Sequence, residues 1–126
     1  MIKMIADHMG NGFLENIVDM FKYDKTYFPY IGNMLGDERI GVRIGTVALV
    51  EILKTQDRDN LQLAIPGIAG LLSDPSPTIR GDAAYALGII GDKDGLPYLE
   101  DALHDDNLLV RESAEEAISM INEGEG

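Results

Sequence analysis

The sequence predicts an all-α protein, a right-handed α-solenoid of about three helix pairs preceded by a capping half-repeat. The first observation behind this is internal repetition. Residues 28–53 (FPYIGNMLGDERIGVRIGTVALVEIL), 65–90 (IPGIAGLLSDPSPTIRGDAAYALGII) and 96–121 (LPYLEDALHDDNLLVRESAEEAISMI) align without gaps, at offsets of 37 and then 31 residues. Five columns match in one register: Pro29, Pro66 and Pro97; Leu35, Leu72 and Leu103; Asp37, Asp74 and Asp105; Val42, Ile79 and Val110; Arg43, Arg80 and Arg111. The second observation is the helical spacing of apolar residues on both sides of the Asp column. The third is that no such unit can bury its apolar face alone, so neighbouring units must stack.

The elements follow in order. Phe13, Leu14, Ile17, Val18 and Phe21 make an amphipathic helix in the place of a preceding second helix. Asn11 and Gly12 stand where its Val-Arg pair would be, so 1–23 reads as a cap, with Met1 to Met9 as a short further segment. Unit one takes 24–53, unit two 61–91 and unit three 95–122, with 123–126 a frayed tail of one domain covering 1–126. Each first helix begins near its proline, which is tolerated in a first turn because its missing N–H has no partner there. In unit two Ile68, Leu71 and Leu72 follow the helical period before Ser73-Asp74-Pro75-Ser76-Pro77 breaks it. Ser76 is the expected N-cap, with Pro77 opening the second helix. That helix carries Ile79, Ala83, Ala84, Ala86, Leu87 and Ile90, matched in unit three by Val110, Ala114, Ala117, Ile118 and Ile121. Gly91-Asp92-Lys93-Asp94-Gly95 turns the chain into unit three, and a longer loop, Lys54 to Asn60, is expected to account for the offset of 37. The total is about seven helices.

Composition bounds the function. The chain has 126 residues, 45% of them hydrophobic, and 22 Asp+Glu against 10 Lys+Arg, a net charge of −12. This is the make-up of one globular domain, not of an acidic disordered chain. The absence of cysteine excludes disulfides, thiolate metal sites and thiol nucleophiles. With no apolar run near the length of a membrane span and no signal-peptide pattern, a cytoplasmic location is expected. The acid is uneven: residues 1–40 carry a net −2, 41–71 are neutral, and 72–126 carry −10. Such a charge disfavours nucleic acid and anionic membrane as partners.

The columns Pro-x-x-Leu/Ile, Leu-x-Asp and Val/Ile-Arg, followed by an Ala-rich helix, resemble the HEAT-like repeats of the PBS (bilin) lyase type. Unit two carries the pattern best, in Ile79-Arg80, Ala83-Ala84, Ala86-Leu87-Gly88 and Ile90-Gly91-Asp92. The resemblance covers residues 28–121; unit one departs from it at Thr46-Val47, and unit three ends Met120-Ile121-Asn122. It implies a ladder in which the Arg of one unit meets the Asp of its neighbour, through Asp37, Arg43, Asp74, Arg80, Asp105 and Arg111. Because that pair recurs once per unit, it tracks stacking and not a unique site.

No residues are assigned to catalysis, metal or cofactor. His8 and His104 are isolated, whereas a zinc site needs three or four ligands at close spacing. One relative built from this repeat, the iron enzyme deoxyhypusine hydroxylase, has paired His-Glu steps; this chain has no His-Glu dipeptide. Gly10-Asn11-Gly12 lacks the length and the lysine of a phosphate loop. Asp92-Lys93-Asp94-Gly95 with Glu100 and Asp101 fails the spacing of a calcium loop and reads as a solvated turn.

Function is expected on the second helices, which line the concave side in the implied architecture. Counting from each Arg, the outward positions are Ile44, Gly45, Ala48 and Ile52, then Gly81, Asp82, Tyr85 and Ile89, then Glu112, Ser113, Glu116 and Met120. Ile44, Ile52, Tyr85, Ile89 and Met120 form an expected exposed apolar stripe with an acidic rim at Asp82, Glu112 and Glu116. The leading expectation is a non-enzymatic scaffold for an unidentified protein or peptide partner. An accessory or cofactor-handling protein related to bilin lyases, or a metal-binding enzyme, is the alternative. The aromatic N-terminal end (Phe13, Phe21, Tyr23, Tyr27, Tyr30) is a second candidate face, for a homodimer or for packing against Met1 to Met9.

Overall fold

In the computed structural model, which describes residues 14–124, seven α-helices follow one another with no strand among the described residues. They are α1 (Leu14–Tyr23), α2 (Ile31–Leu35), α3 (Ile40–Gln56), α4 (Ile65–Gly70), α5 (Pro77–Ile90), α6 (Leu96–Ala102) and α7 (Leu108–Gly124). The helix pairs are α2 with α3, α4 with α5, and α6 with α7. Each pair is entered through a 3-10 segment: Lys25–Tyr30, Arg58–Ala64 and Lys93–Gly95. Phe13 and the Met1 to Met9 segment lie outside the described residues.

The cap behaves as a preceding second helix. α1 packs on α3, and Lys22 Nζ donates to Gln56 Oε1 at 3.0 Å, so the C-terminal ends of the two helices meet. Phe21 is fully buried in edge-to-face contact with Phe28, their centroids 5.3 Å apart, and Tyr27 lies against it at 5.7 Å. The aromatic end is therefore largely core. Of its described members only Tyr23 is fully in solvent, at 93% exposure.

The local signals explain most boundaries. Ser76 has extended dihedrals and its side chain accepts from the Ile79 N–H, with Pro77 as first residue of α5. Gly91, at φ 73°, closes α5 in the left-handed conformation that only glycine adopts cheaply. Unit one has no such glycine, and α3 runs on to Gln56. The expected loop from Lys54 to Asn60 is thus not a loop: its first three residues are helical, and its last three belong to the 3-10 segment Arg58–Ala64. Likewise Glu123 and Gly124, expected to fray, continue α7; Glu125 and Gly126 lie outside the described residues.

One apolar core runs from Ile17 and Phe21 through Leu49, Leu53 and Ile68 to Leu87, Leu99 and Ile121. Thr46 is its one fully buried polar side chain among the described residues, and its hydroxyl donates to the Val42 carbonyl at 2.6 Å. The stack closes on small residues. A Cβ added to Gly32 in α2 would stand 2.5 Å from the Gly67 carbonyl carbon in α4. A Cβ added to Gly88 in α5 would stand 2.8 Å from both Cα and Cβ of Ala117 in α7. These two places are where backbone meets backbone between units.

The repeated Asp and Arg act first within their own unit. Asp37, Asp74 and Asp105 each accept, through Oδ1, the backbone N–H two residues on, at 2.8, 2.8 and 2.9 Å. Arg43, Arg80 and Arg111 each donate Nη1 to the carbonyl of that same Asp, six residues back, at 2.7, 2.8 and 2.7 Å. The ladder between units forms at one step only. Arg80 grips Asp105 with two bonds, 2.9 and 3.2 Å, and reaches Asp106 at 3.3 Å. Arg43 makes no ion pair with Asp74 among the described residues, and Asp37 is paired with Arg39 instead. The ladder implied by the resemblance is corrected to a single rung between units two and three.

Three substitutions test this packing. Gly88→Ala overpacks a backbone crossing and should destabilise by about 1–3 kcal/mol in urea denaturation. Gly41→Ala, whose added Cβ meets nothing within 4 Å, should stabilise by up to about 1 kcal/mol in the same assay. Asp105→Ala removes a turn cap and the inter-unit rung and should cost on the order of 1–3 kcal/mol at pH 7. The Asn107 N–H, with further help from Arg80, holds the Asp105 carboxyl below the usual carboxylate range. Its contribution is therefore full above the ordinary value near 3.8 and lost as pH falls through the lower folded value. The gap between wild type and Asp105→Ala should close on acidification, as read by thermal melts.

Candidate partner-binding face

The second helices α3, α5 and α7 lie side by side, and α5 forms a ridge between two grooves. The first groove, about 550 Å³, is lined by Ile40, Arg43, Ile44, Val47, Ala48 and Glu51 from α3 and by Thr78, Asp82 and Tyr85 from α5. The second, about 400 Å³, shares Thr78, Asp82 and Tyr85 and adds Pro77 and Gly81, with Asn107, Leu109 and Ser113 on the far side. Thr78, Asp82 and Tyr85 are four and three residues apart, the spacing that puts side chains on one helix face. They form the crest that both grooves share.

Apolar exposure concentrates here. Ile40 is 66% exposed, Ile44 64%, Leu109 70% and Tyr85 39%. Of the expected stripe, Ile44 and Tyr85 are exposed, and the members further along the helices are not. Ile89 is only 6% exposed, and Ile52 and Met120 are packed against the core. For Met120 the cause is the Gly88 crossing: α5 and α7 meet at Ala117, and the Met120 sulfur lies 3.2 Å from where a Gly88 Cβ would be. The C-terminal half of α5, from Ala86 to Ile90, is buried throughout. The open surface lies nearer the N-terminal ends of the second helices. Ile40, Thr78 and Leu109 were missed because outward positions were counted only forward from each Arg. Each of the three lies two or three residues before its Arg, and the same periodicity extended backward would have found them.

The electrostatics of the face are acidic. Glu112 and Glu116 are exposed on α7, Glu51 on α3, and Asp82 is partly buried on the crest. Among the described residues no hydrogen-bond donor reaches the Asp82 carboxylate. Burial pushes its pKa up, and the nearby positive charge of Arg43 offsets part of that rise. Arg43 has its Nη1 committed to the Asp37 carbonyl. No group of three or more His, Asp or Glu side chains that could hold a metal occurs among the described residues. The acidic turn at Asp92 is a local cap, with Asp92 Oδ1 accepting the Asp94 N–H at 2.8 Å. No helix among the described residues is long and apolar enough to cross a membrane.

A carboxyl raised above its ordinary pKa binds its proton more tightly in the folded state, so its charged form opposes folding at neutral pH. Asp82→Asn should therefore raise the melting temperature at pH 7. The gain should shrink as pH falls below the raised value, where the wild-type carboxyl is already neutral. This is the opposite sign to Asp105→Ala, and melting the two variants side by side across pH checks both.

Comparison with known proteins agrees with this geometry. The chain is 51% identical over 47 residues to deoxyhypusine hydroxylase of Candida glabrata, a match covering 36% of this chain. It spans only 15% of that protein's length. The family described as HEAT repeats matches residues 30–119, which reaches into all three helix pairs. With its paired helices, repeated Asp-Arg turns and stacked second helices, the chain belongs to the HEAT-repeat family.

Proposed function

We propose that the chain is a small, non-enzymatic scaffold that holds a protein or peptide partner on the face of its second helices. The observation that carries this is the cluster of exposed apolar side chains, Ile40, Ile44, Tyr85 and Leu109, around two open grooves. An exposed apolar patch with polar edges marks an interaction surface. The acidic surround favours partners with basic edges, through association rate more than affinity. It also disfavours nucleic acid, whose binding needs a basic face. Hydroxylase activity is not carried over from the Candida glabrata protein, because this chain has no His-Glu dipeptide. The motif of unit two supports assignment of the repeats to the PBS lyase type.

The test is affinity capture from native extract with mass spectrometry, comparing wild type with an Ile44→Asp, Tyr85→Ala double variant. Both positions are exposed, so circular dichroism should show the variant folded. Partners should be lost from the double variant and kept by Tyr98→Ala, which changes an exposed aromatic on α6. Equal capture by the double variant would remove the proposal.

A further inference from the structure

The first groove is apolar on its α3 side, where Ile40 and Ile44 are largely exposed and Val47 and Ala48 continue the wall. Aliphatic side chains so placed are stabilised by being covered. The chain carries an apolar segment of its own outside the described residues. Met1 to Met9 contains Met1, Ile2, Met4, Ile5, Ala6 and Met9. It holds three of the chain's six methionines, the side chain best suited to an irregular and displaceable contact. Its Lys3 and Asp7 cancel, so it brings no net charge to Glu51 and Asp82 on the groove walls. The other end of the chain, Glu123-Gly124-Glu125-Gly126, offers no apolar side chain.

The point of attachment favours this groove. The segment joins the described chain at Leu14, the start of α1, through Gly10, Asn11, Gly12 and Phe13. α1 packs on α3, which is itself one wall of the groove, so a single helix separates attachment from site. The C-terminal ends of α1 and α3 meet at Lys22 and Gln56. Leu14 and Ala48 each stand eight residues before those positions, so α1 begins beside the middle of α3, where the groove lies. Thirteen residues extend to at most about 45 Å, so length sets no limit. The other apolar destination near the cap is closed, because Phe21 and Phe28 are fully buried against each other. Tyr23, which is in solvent, stands at the opposite end of α1.

We propose that Met1 to Met9 folds back across α3 and seats Ile2 and Ile5 in the first groove, against Ile40, Ile44 and Tyr85, as an internal cover that a partner of this face must displace. Tethering holds the segment there through contacts too weak to join separate molecules. A partner's apparent affinity then falls with the fraction of molecules that are open. The displacement step rests on the scaffold reading; the seating of the segment does not.

The test is methyl NMR on the full chain with labelled isoleucine methyl groups. Nuclear Overhauser cross-peaks are expected from Ile2 or Ile5 to Ile40 or Ile44. An Ile2→Asp, Ile5→Asp double variant should shift the Ile40 and Ile44 methyl resonances and leave that of the buried Ile68 in place. With the groove uncovered, the double variant should also bind the neutral apolar dye Nile red, with a severalfold gain in fluorescence over wild type. Adding Ile44→Asp to it should remove that gain. Absence of cross-peaks between the segment and α3, or unmoved Ile40 and Ile44 resonances, would overturn the cover. Cross-peaks seen only between differently labelled copies would also overturn it, in favour of a segment exchanged between two molecules. Equal partner capture by the Ile44→Asp, Tyr85→Ala variant would remove the displacement step alone, since the cross-peaks need no partner.

Discussion

A HEAT-like helix pair is too thin to bury its own apolar side, so everything here depends on how closely the next pair can approach. Two glycine contacts set that distance. Gly32 meets the Gly67 backbone between the first helices of units one and two. Gly88 meets Ala117 between the second helices of units two and three. The two crossings lie in different layers, and this difference shapes the molecule. Where second helices meet at Gly88, the interface is extensive, and Met120 is drawn into it. Where units one and two close on their first helices, α3 and α5 leave the larger groove between their N-terminal halves. The open face is thus a consequence of which layer received the glycine.

Architecture was legible because repetition and periodicity are properties of sequence. The Pro, Leu, Asp, Val/Ile and Arg columns located every helix pair, and Ser76, Pro77 and Gly91 marked the ends of α5. The longer first repeat was legible only as extra length. Its cause, a helix that runs on to Gln56 for want of a glycine stop and a longer 3-10 entry, depends on how the backbone continues when nothing ends it. The site was half legible. Ile44, Asp82 and Tyr85 follow from helical phase, but the burial of Ile89, Ile52 and Met120 does not. Phase says which way a side chain points and not how near the neighbouring helix comes. The burial of Phe21 against Phe28 was not legible for the same reason.

The net charge of −12 divides into roles that composition could not separate. Asp37, Asp74 and Asp105 are turn caps that accept backbone N–H groups; the pKa is lowered at Asp37 chiefly by the Arg39 side chain and at Asp105 chiefly by the Asn107 N–H. Asp82 is the opposite case: it pays for partial burial with no donor in return. A carboxylate kept at a cost to the folded state, between two apolar grooves, is the kind of residue that stability alone would replace.

The Arg-to-carbonyl bond six residues back, present in all three units, has a genealogical consequence. Each turn is locked by atoms that lie entirely inside its own helix pair. A duplicated or deleted pair therefore carries its fastening with it and leaves no neighbour unlatched. The rung from Arg80 to Asp105 is different, since it ties two particular copies together. Arrays of this kind can lengthen and shorten by whole pairs while their faces diverge, which is why the strongest columns in the sequence are those of the turn and the weakest those of the grooves.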